Sequence, residues 1–129
     1  MPKKSPPAKR PLICVVDDDE SVRESLPDLI KEFGFAVRAF SSAEEFLASD
    51  GVRHAKCMIL DIAMPGMTGP DLQRELIRLK RQIPIIFITA QADETVRPRM
   101  LKLGAVACLF KPFSDTALRE ALNAALGAS

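Results

Sequence analysis

No apolar stretch in the sequence approaches the length of a bilayer span, which excludes a membrane helix. The first residues hold lysines and prolines without an apolar core, so no secretory signal is expected. The three cysteines, Cys14, Cys57 and Cys108, form no CxxC pair. Each lies in or beside an apolar run, the pattern of buried reduced thiols in a cytoplasmic protein. Nucleotide-binding glycine loops are missing too: there is no GxGxxG and no Walker loop, only Gly66-x-x-Gly69. The lone histidine, His54, has no neighbouring ligand at metal spacing and is expected in a solvated loop. Strong basicity is absent. Residues 1–10 carry Lys3, Lys4, Lys9 and Arg10 without an acid, so of 18 bases and 17 acids the remainder keeps 14 and 17. A mildly acidic body behind a short basic arm is not a nucleic-acid-binding composition.

What is present is a chain of 129 residues, 47% hydrophobic and 27% charged, enough for one domain with a sizeable core. Strand and helix patterns alternate five times without an internal linker. Apolar runs predict strands at about 12–17, 35–40, 57–61, 84–89 and 105–110. Val22, Leu26, Leu29, Ile30 and Phe33 recur at helical spacing before Gly34. Ser42-Ala43-Glu44-Glu45 reads as a capping box opening a short second helix. Pro70 suits the first turn of a third, which carries Leu72, Leu76 and Leu79. A fourth is expected at about 95–103, and Ser114 or Asp115 caps a fifth with Leu118, Leu122 and Leu126 on one face. Right-handed crossovers then imply an α/β fold. It is a doubly wound parallel sheet of the flavodoxin-like (βα)5 kind, strand order 2-1-3-4-5, with helices on both faces. Residues 1–10 are expected to be a disordered Pro-rich tail, 11–126 the domain and 127–129 a C-terminal tail.

Polar residues close the apolar runs: Asp17-Asp18, Asp61, Thr89 and Lys111. In open α/β sheets ligand chemistry lies outside the carboxyl ends of the strands, so these groups are expected to converge on one sheet edge. Adjacent carboxylates raise each other's pKa unless a cation lies between them, and Mg2+ is the natural hard cation for them. Asp61 can add an oxygen ligand or act as a nucleophile. The Lys111 ammonium and Thr89 hydroxyl suit phosphoryl oxygens. Together they point to metal-assisted phosphoryl transfer onto a carboxylate.

The segments Val15-Val16-Asp17-Asp18-Asp19-Glu20, Leu60-Asp61-Ile62-Ala63-Met64-Pro65-Gly66-Met67-Thr68-Gly69, Ile88-Thr89-Ala90 and Lys111-Pro112-Phe113 together resemble the receiver domain of bacterial two-component response regulators. The resemblance covers about residues 11–126 and is strongest toward receivers of nitrogen-fixation-type regulators. It implies that Asp61 is the phosphoryl acceptor. Asp17 and Asp18 then bind Mg2+ with Asp61 and the backbone carbonyl of Ala63. Thr89 becomes the switch hydroxyl and Lys111 the phosphate-binding base, with a cis Lys111–Pro112 bond. The implied donor is a sensor histidine kinase or a histidine phosphotransfer protein. The downstream protein target is unspecified, and the chain would be a cytoplasmic monomer or phosphorylation-dependent dimer without direct nucleic-acid or membrane contact. It is not expected to be a turnover enzyme.

Several positions depart from the family pattern. Cys108 stands where receivers usually carry Tyr or Phe as the switch aromatic, and a core-filling role is expected for it. Pro98 falls in the fourth helix, either interrupting it or marking a late start after a longer loop. Pro27 lies inside the first helix and is a candidate kink. The departures at Cys108 and Pro98 predict intact phosphorylation chemistry with altered output wiring. Ala63 and Gln91, two residues after Asp61 and Thr89, are candidates for tuning phosphoryl lifetime. The reading is of a stand-alone phosphoacceptor; the alternatives are the receiver of a longer DNA-binding regulator and a haloacid-dehalogenase-like phosphatase using Asp17 and Asp19 of Asp-x-Asp-x-Ser.

Overall fold

Five short apolar runs form one parallel sheet in the order β2-β1-β3-β4-β5, the order that the sequence pattern implies. The strands are β1 (Leu12–Val16), β2 (Ala36–Phe40), β3 (Cys57–Asp61), β4 (Ile85–Thr89) and β5 (Ala107–Phe110). Among the described residues six helices connect and cover them: α1 (Glu20–Glu32), α2 (Ala43–Leu47), α3 (Gly51–His54), α4 (Gly69–Arg78), α5 (Val96–Lys102) and α6 (Asp115–Ala125). The computed structural model describes residues 10–91 and 93–127. The basic tail expected over 1–10 lies outside them apart from Arg10, as do Ala128 and Ser129 of the expected C-terminal tail.

Successive strand side chains point to opposite faces, and here both faces are apolar. Cys14, Val16, Met58, Leu60 and Phe87 belong to one core with Phe46, Leu72, Leu76 and Met100. Ile13, Val15, Ile59, Ile86 and Ile88 belong to the other with Leu26, Ile30, Leu118 and Leu122. The central strands β3 and β4 are buried along their whole length.

The helix signals hold with informative exceptions. The Ser42 hydroxyl caps α2 by accepting from the Glu45 amide at 3.0 Å. The returning half of the expected box goes elsewhere: the Glu45 carboxylate accepts from the amide and hydroxyl of Ser41 at 2.7 and 2.8 Å, two donors in place of one. A reciprocal capping box forms instead at α4, between Thr68 and Asp71, with proline in the first turn. The expected loop around His54 is a helical turn, α3, which makes six helices rather than five. His54 closes that turn with Nδ1–H donating to the Asp50 carbonyl at 2.9 Å.

Pro27 does not break α1, which runs from Glu20 to Glu32. Having no N–H, it leaves the Arg23 carbonyl without its helical donor. Pro98 interrupts nothing: α5 starts late, at Val96, and Pro98 is its third residue, where an N–H would have no helical partner.

Candidate functional site

The carboxyl ends of β1, β3, β4 and β5 bring the polar residues together. The chain leaves β1 at Asp17, whose amide donates to the Phe40 carbonyl at 3.1 Å and extends the sheet by one bond. The Asp17 side chain is fully buried. A buried carboxylate requires partners. One oxygen accepts from the Asp19 amide at 2.9 Å and the other from the Lys111 ammonium at 2.9 Å. The Asp17 carbonyl takes a third bond, from the Arg23 guanidinium at 2.9 Å. Asp19 itself caps α1, accepting from the Ser21 amide and hydroxyl at 2.9 and 2.8 Å. Those bonds hold its carboxyl below the ordinary range. A capping Asp19 is committed to its own helix, which argues against the Asp-x-Asp nucleophile pair of a phosphatase.

Asp61 ends β3 and is only 6% exposed. Asp17, Asp18 and Asp61 each offer an oxygen within a common sphere, all three atoms lying within 4.8 Å of one another. Burial, followed by the Asp17 charge, pushes the Asp61 carboxyl up to about 7 against the pull of Lys111. Burial works against the charge on Lys111. The Asp17 bond and the charges of Asp61, Asp17 and Asp19 outweigh it and hold the ammonium above its usual value.

Thr89 is 3% exposed at the end of β4, one step beyond Ile88, which pairs with Asp61. Its hydroxyl accepts from the Gln91 amide at 3.1 Å, and its carbonyl accepts from the Lys111 amide at 2.8 Å. The Lys111–Pro112 bond is cis. Ala63 is exposed in the loop after β3.

The three carboxylates fit a hard divalent cation. When all are ionised they carry three negative charges against one on Lys111, an excess of two. Their donors are oxygens, and at least one is pressed toward protonation for want of a counter-charge.

Cys108 is 2% exposed, pairs with Phe87 in the sheet and packs in the core. Burial pushes its thiol up, as it does those of Cys14, to about 11, and Cys57, to about 12. These thiols are poor nucleophiles.

Three contributors escaped sequence reasoning. A β-carbon at Gly69 would collide with the Asp61 carbonyl, so only glycine lets α4 start this close to the site. The signal was present in Gly66-x-x-Gly69, but it read as a loop mark. Arg23 gave no signal beyond being a charged residue on a helix. Arg97 donates to the Cys108 carbonyl at 3.0 Å, and its guanidinium lies 4.6 Å from the Phe110 ring centroid. Only the fold brings it to that carbonyl.

Comparison with known proteins agrees with this fold. The pattern of the family described as "Response regulator receiver domain" matches residues 13–123. Nodulation protein W of Bradyrhizobium diazoefficiens is 46% identical over 114 residues, 88% of this chain and 50% of that protein. Response regulator protein TmoT of Ectopseudomonas mendocina is 43% identical over 115 residues, 89% of this chain and 52% of that protein. The chain therefore spans about half the length of these curated relatives. Among solved structures, the one described as FixJ-N superposes with a TM-score of 0.82 at 37% identity, covering 94% of this chain and 97% of that one.

Proposed function

The chain belongs to the response regulator receiver domain family of two-component systems, and from that premise we propose that Asp61 is its phosphoryl acceptor. The observation that carries this is the meeting of a buried Asp61 with Asp17, Asp18 and Lys111 at one sheet edge. The donor is the phosphohistidine of a sensor histidine kinase or of a histidine phosphotransfer protein, met in the cytoplasm. An Asp61 oxygen attacks phosphorus, the phosphorus–nitrogen bond breaks, and the departing imidazole takes a proton. Asp17, Asp18 and Asp61, with the Ala63 carbonyl, would hold Mg2+. When bound, the ion neutralises the clustered oxygens and keeps Asp61 ionised. Lys111 exchanges its bond to Asp17 for a phosphoryl oxygen, and the Thr89 hydroxyl donates to another. Ala63 and Gln91 border the path of attacking water and set how long the phosphoryl group persists. The modified domain then changes its hold on a downstream protein, as a monomer or a dimer.

Intact mass after incubation with acetyl phosphate and Mg2+ tests this. A single phosphoryl adduct on the wild type, missing without Mg2+ and in Asp61→Asn, is the expected result. An adduct that persists in Asp61→Asn assigns the acceptor elsewhere.

The output route is altered in this reading. Cys108 fills core where a switch aromatic would turn, and Arg97 ties α5 to β5 through the Cys108 carbonyl and the Phe110 ring. Beryllofluoride is therefore expected to shift amides around Asp61, Thr89 and Lys111 strongly and those of α5 and β5 weakly. A large linked response across α5 and β5 rejects the altered wiring and leaves the acceptor assignment intact.

A further inference from the structure

The edge of the sheet opposite the acidic site carries a groove that phosphoryl chemistry does not use. It is walled by the end of α4 (Leu76, Ile77), the entry to β4 (Ile83, Ile85) and the turn after α5 (Leu103, Val106), and encloses about 660 Å³. It lies at the start of β4, whereas Thr89 is at its end, about 13 Å away for four steps along the strand. The Gln73 amide braces the walls, donating to the Leu103 carbonyl at 3.1 Å.

Two independent observations mark this surface. The first is exposed apolar area. Among the described residues the exposed large apolar side chains are Ile77, Leu79, Leu101 and Leu103, all at the ends of α4 and α5. Ile77 is 64% exposed and Leu103 42%, and both line the groove. Apolar side chains gathered this way mark a contact surface rather than scattered surface residues. The second is charge. Of the seven arginines and lysines in residues 74–82 and 97–104, Arg74 pairs with Asp71 and Arg97 bonds the Cys108 carbonyl, and Glu75 is the one acid in those stretches. Glu75 is itself engaged by Arg78. Lys80 and Arg81 line the groove, and no acidic residue does. Lys80 also has φ 62°, among the described residues the one positive φ outside glycine. Glycine would take that conformation without strain, so a long cationic side chain is kept there at a conformational cost.

We propose that this groove is a second docking site, for an acidic amphipathic helix of a partner protein. Leucine-like side chains at i, i+3, i+4 and i+7 enter between Ile77 and Leu103, and flanking carboxylates meet Lys80 and Arg81. The groove is concave and apolar at its base, which suits an inserted helix face better than a flat lipid surface or a phosphate backbone. The site is independent of the phosphoacceptor reading.

The test is an amide-shift titration of the 15N-labelled protein with an amidated 14-residue peptide. It carries leucine at i, i+3, i+4 and i+7 and glutamate at its other positions. A peptide with lysine for every glutamate runs beside it, with an unrelated DNA duplex and phosphatidylglycerol vesicles in separate arms. Saturable shifts confined to residues 76–85 and 101–106 are expected with the acidic peptide. Affinity should fall at least tenfold in Arg81→Glu, and several-fold in Lys80→Gly, which removes the charge while easing the backbone. Ile77→Ser, on an exposed side chain, should weaken binding without loss of spectral dispersion. No saturable shift at millimolar peptide overturns the proposal. So does equal binding of the lysine peptide, or saturation of the same residues by DNA or vesicles.

Discussion

Asp61 is 6% exposed beside a fully buried Asp17, so its ionisation costs free energy wherever no cation balances it. Its carboxyl sits at about 7 in the fold, above the ordinary carboxylate value of 3.8. Between those two values the folded chain binds a proton that the unfolded chain has lost. Stability of the metal-free protein therefore falls as pH rises from about 4 to about 7 and levels above that. The loss has an upper limit on the order of 4 kcal/mol. Urea denaturation in chelator at pH 5, 6, 7 and 8 should show this slope in the wild type and a flatter one in Asp61→Asn. At pH 7.5 the variant should be the more stable protein without metal. Mg2+ should stabilise the wild type more strongly, since a ligand stabilises the fold by binding the native state. A wild-type slope matching that of Asp61→Asn would place the unbalanced charge on another residue.

Among the elements, α1 carries the clearest local conflict. Pro27 removes one helix hydrogen bond in mid-helix, yet the helix continues because Leu26 and Ile30 are buried against the sheet on either side of it. Tertiary packing offsets a local penalty of about 3 kcal/mol. Pro27→Ala should restore the bond to the Arg23 carbonyl and stabilise the protein by about 1–3 kcal/mol. The midpoint of urea unfolding checks this, and an unchanged or lowered midpoint would mean that the ring itself contributes packing. Pro98 is the useful contrast: the same residue in a first turn breaks nothing, and its replacement brings no such gain.

Across the whole molecule, Lys111 joins the last strand to the first. Its ammonium, 20% exposed, binds an Asp17 carboxylate that is wholly buried, 94 residues away in sequence. Lys111→Ala leaves that carboxylate facing Asp18 and Asp61 without a cation. Removing one partner of a buried pair is costly, so a loss of about 3 kcal/mol is expected in chelator. Mg2+ should recover more stability in Lys111→Ala than in the wild type, because the ion replaces the missing charge. Melting curves of both proteins with and without Mg2+ measure the difference. Equal Mg2+ gains would mean that the ammonium and the metal do not share the Asp17 environment.

The order of strands and the gathering of Asp17, Asp18, Asp61, Thr89 and Lys111 at one edge of the sheet were legible in one dimension. Apolar runs bury themselves, parallel strands cross over with one hand, and a polar residue that closes an apolar run must surface at the strand's carboxyl end. Local signals also bounded helices, as at Gly34 after α1 and Ser114 before α6, because caps and glycines act within a few residues. Partner choice between distant residues was not legible. Asp17 meeting Lys111, Gly69 yielding room to the Asp61 carbonyl and Arg97 reaching the Cys108 carbonyl all depend on how β1, β3, β4 and β5 lie beside one another. The same holds for the apolar, basic groove. Ile77 and Leu103 read from sequence as ordinary helix residues, and only the packing of α4 beside the end of α5 left them on the surface with Lys80 and Arg81 at their rim.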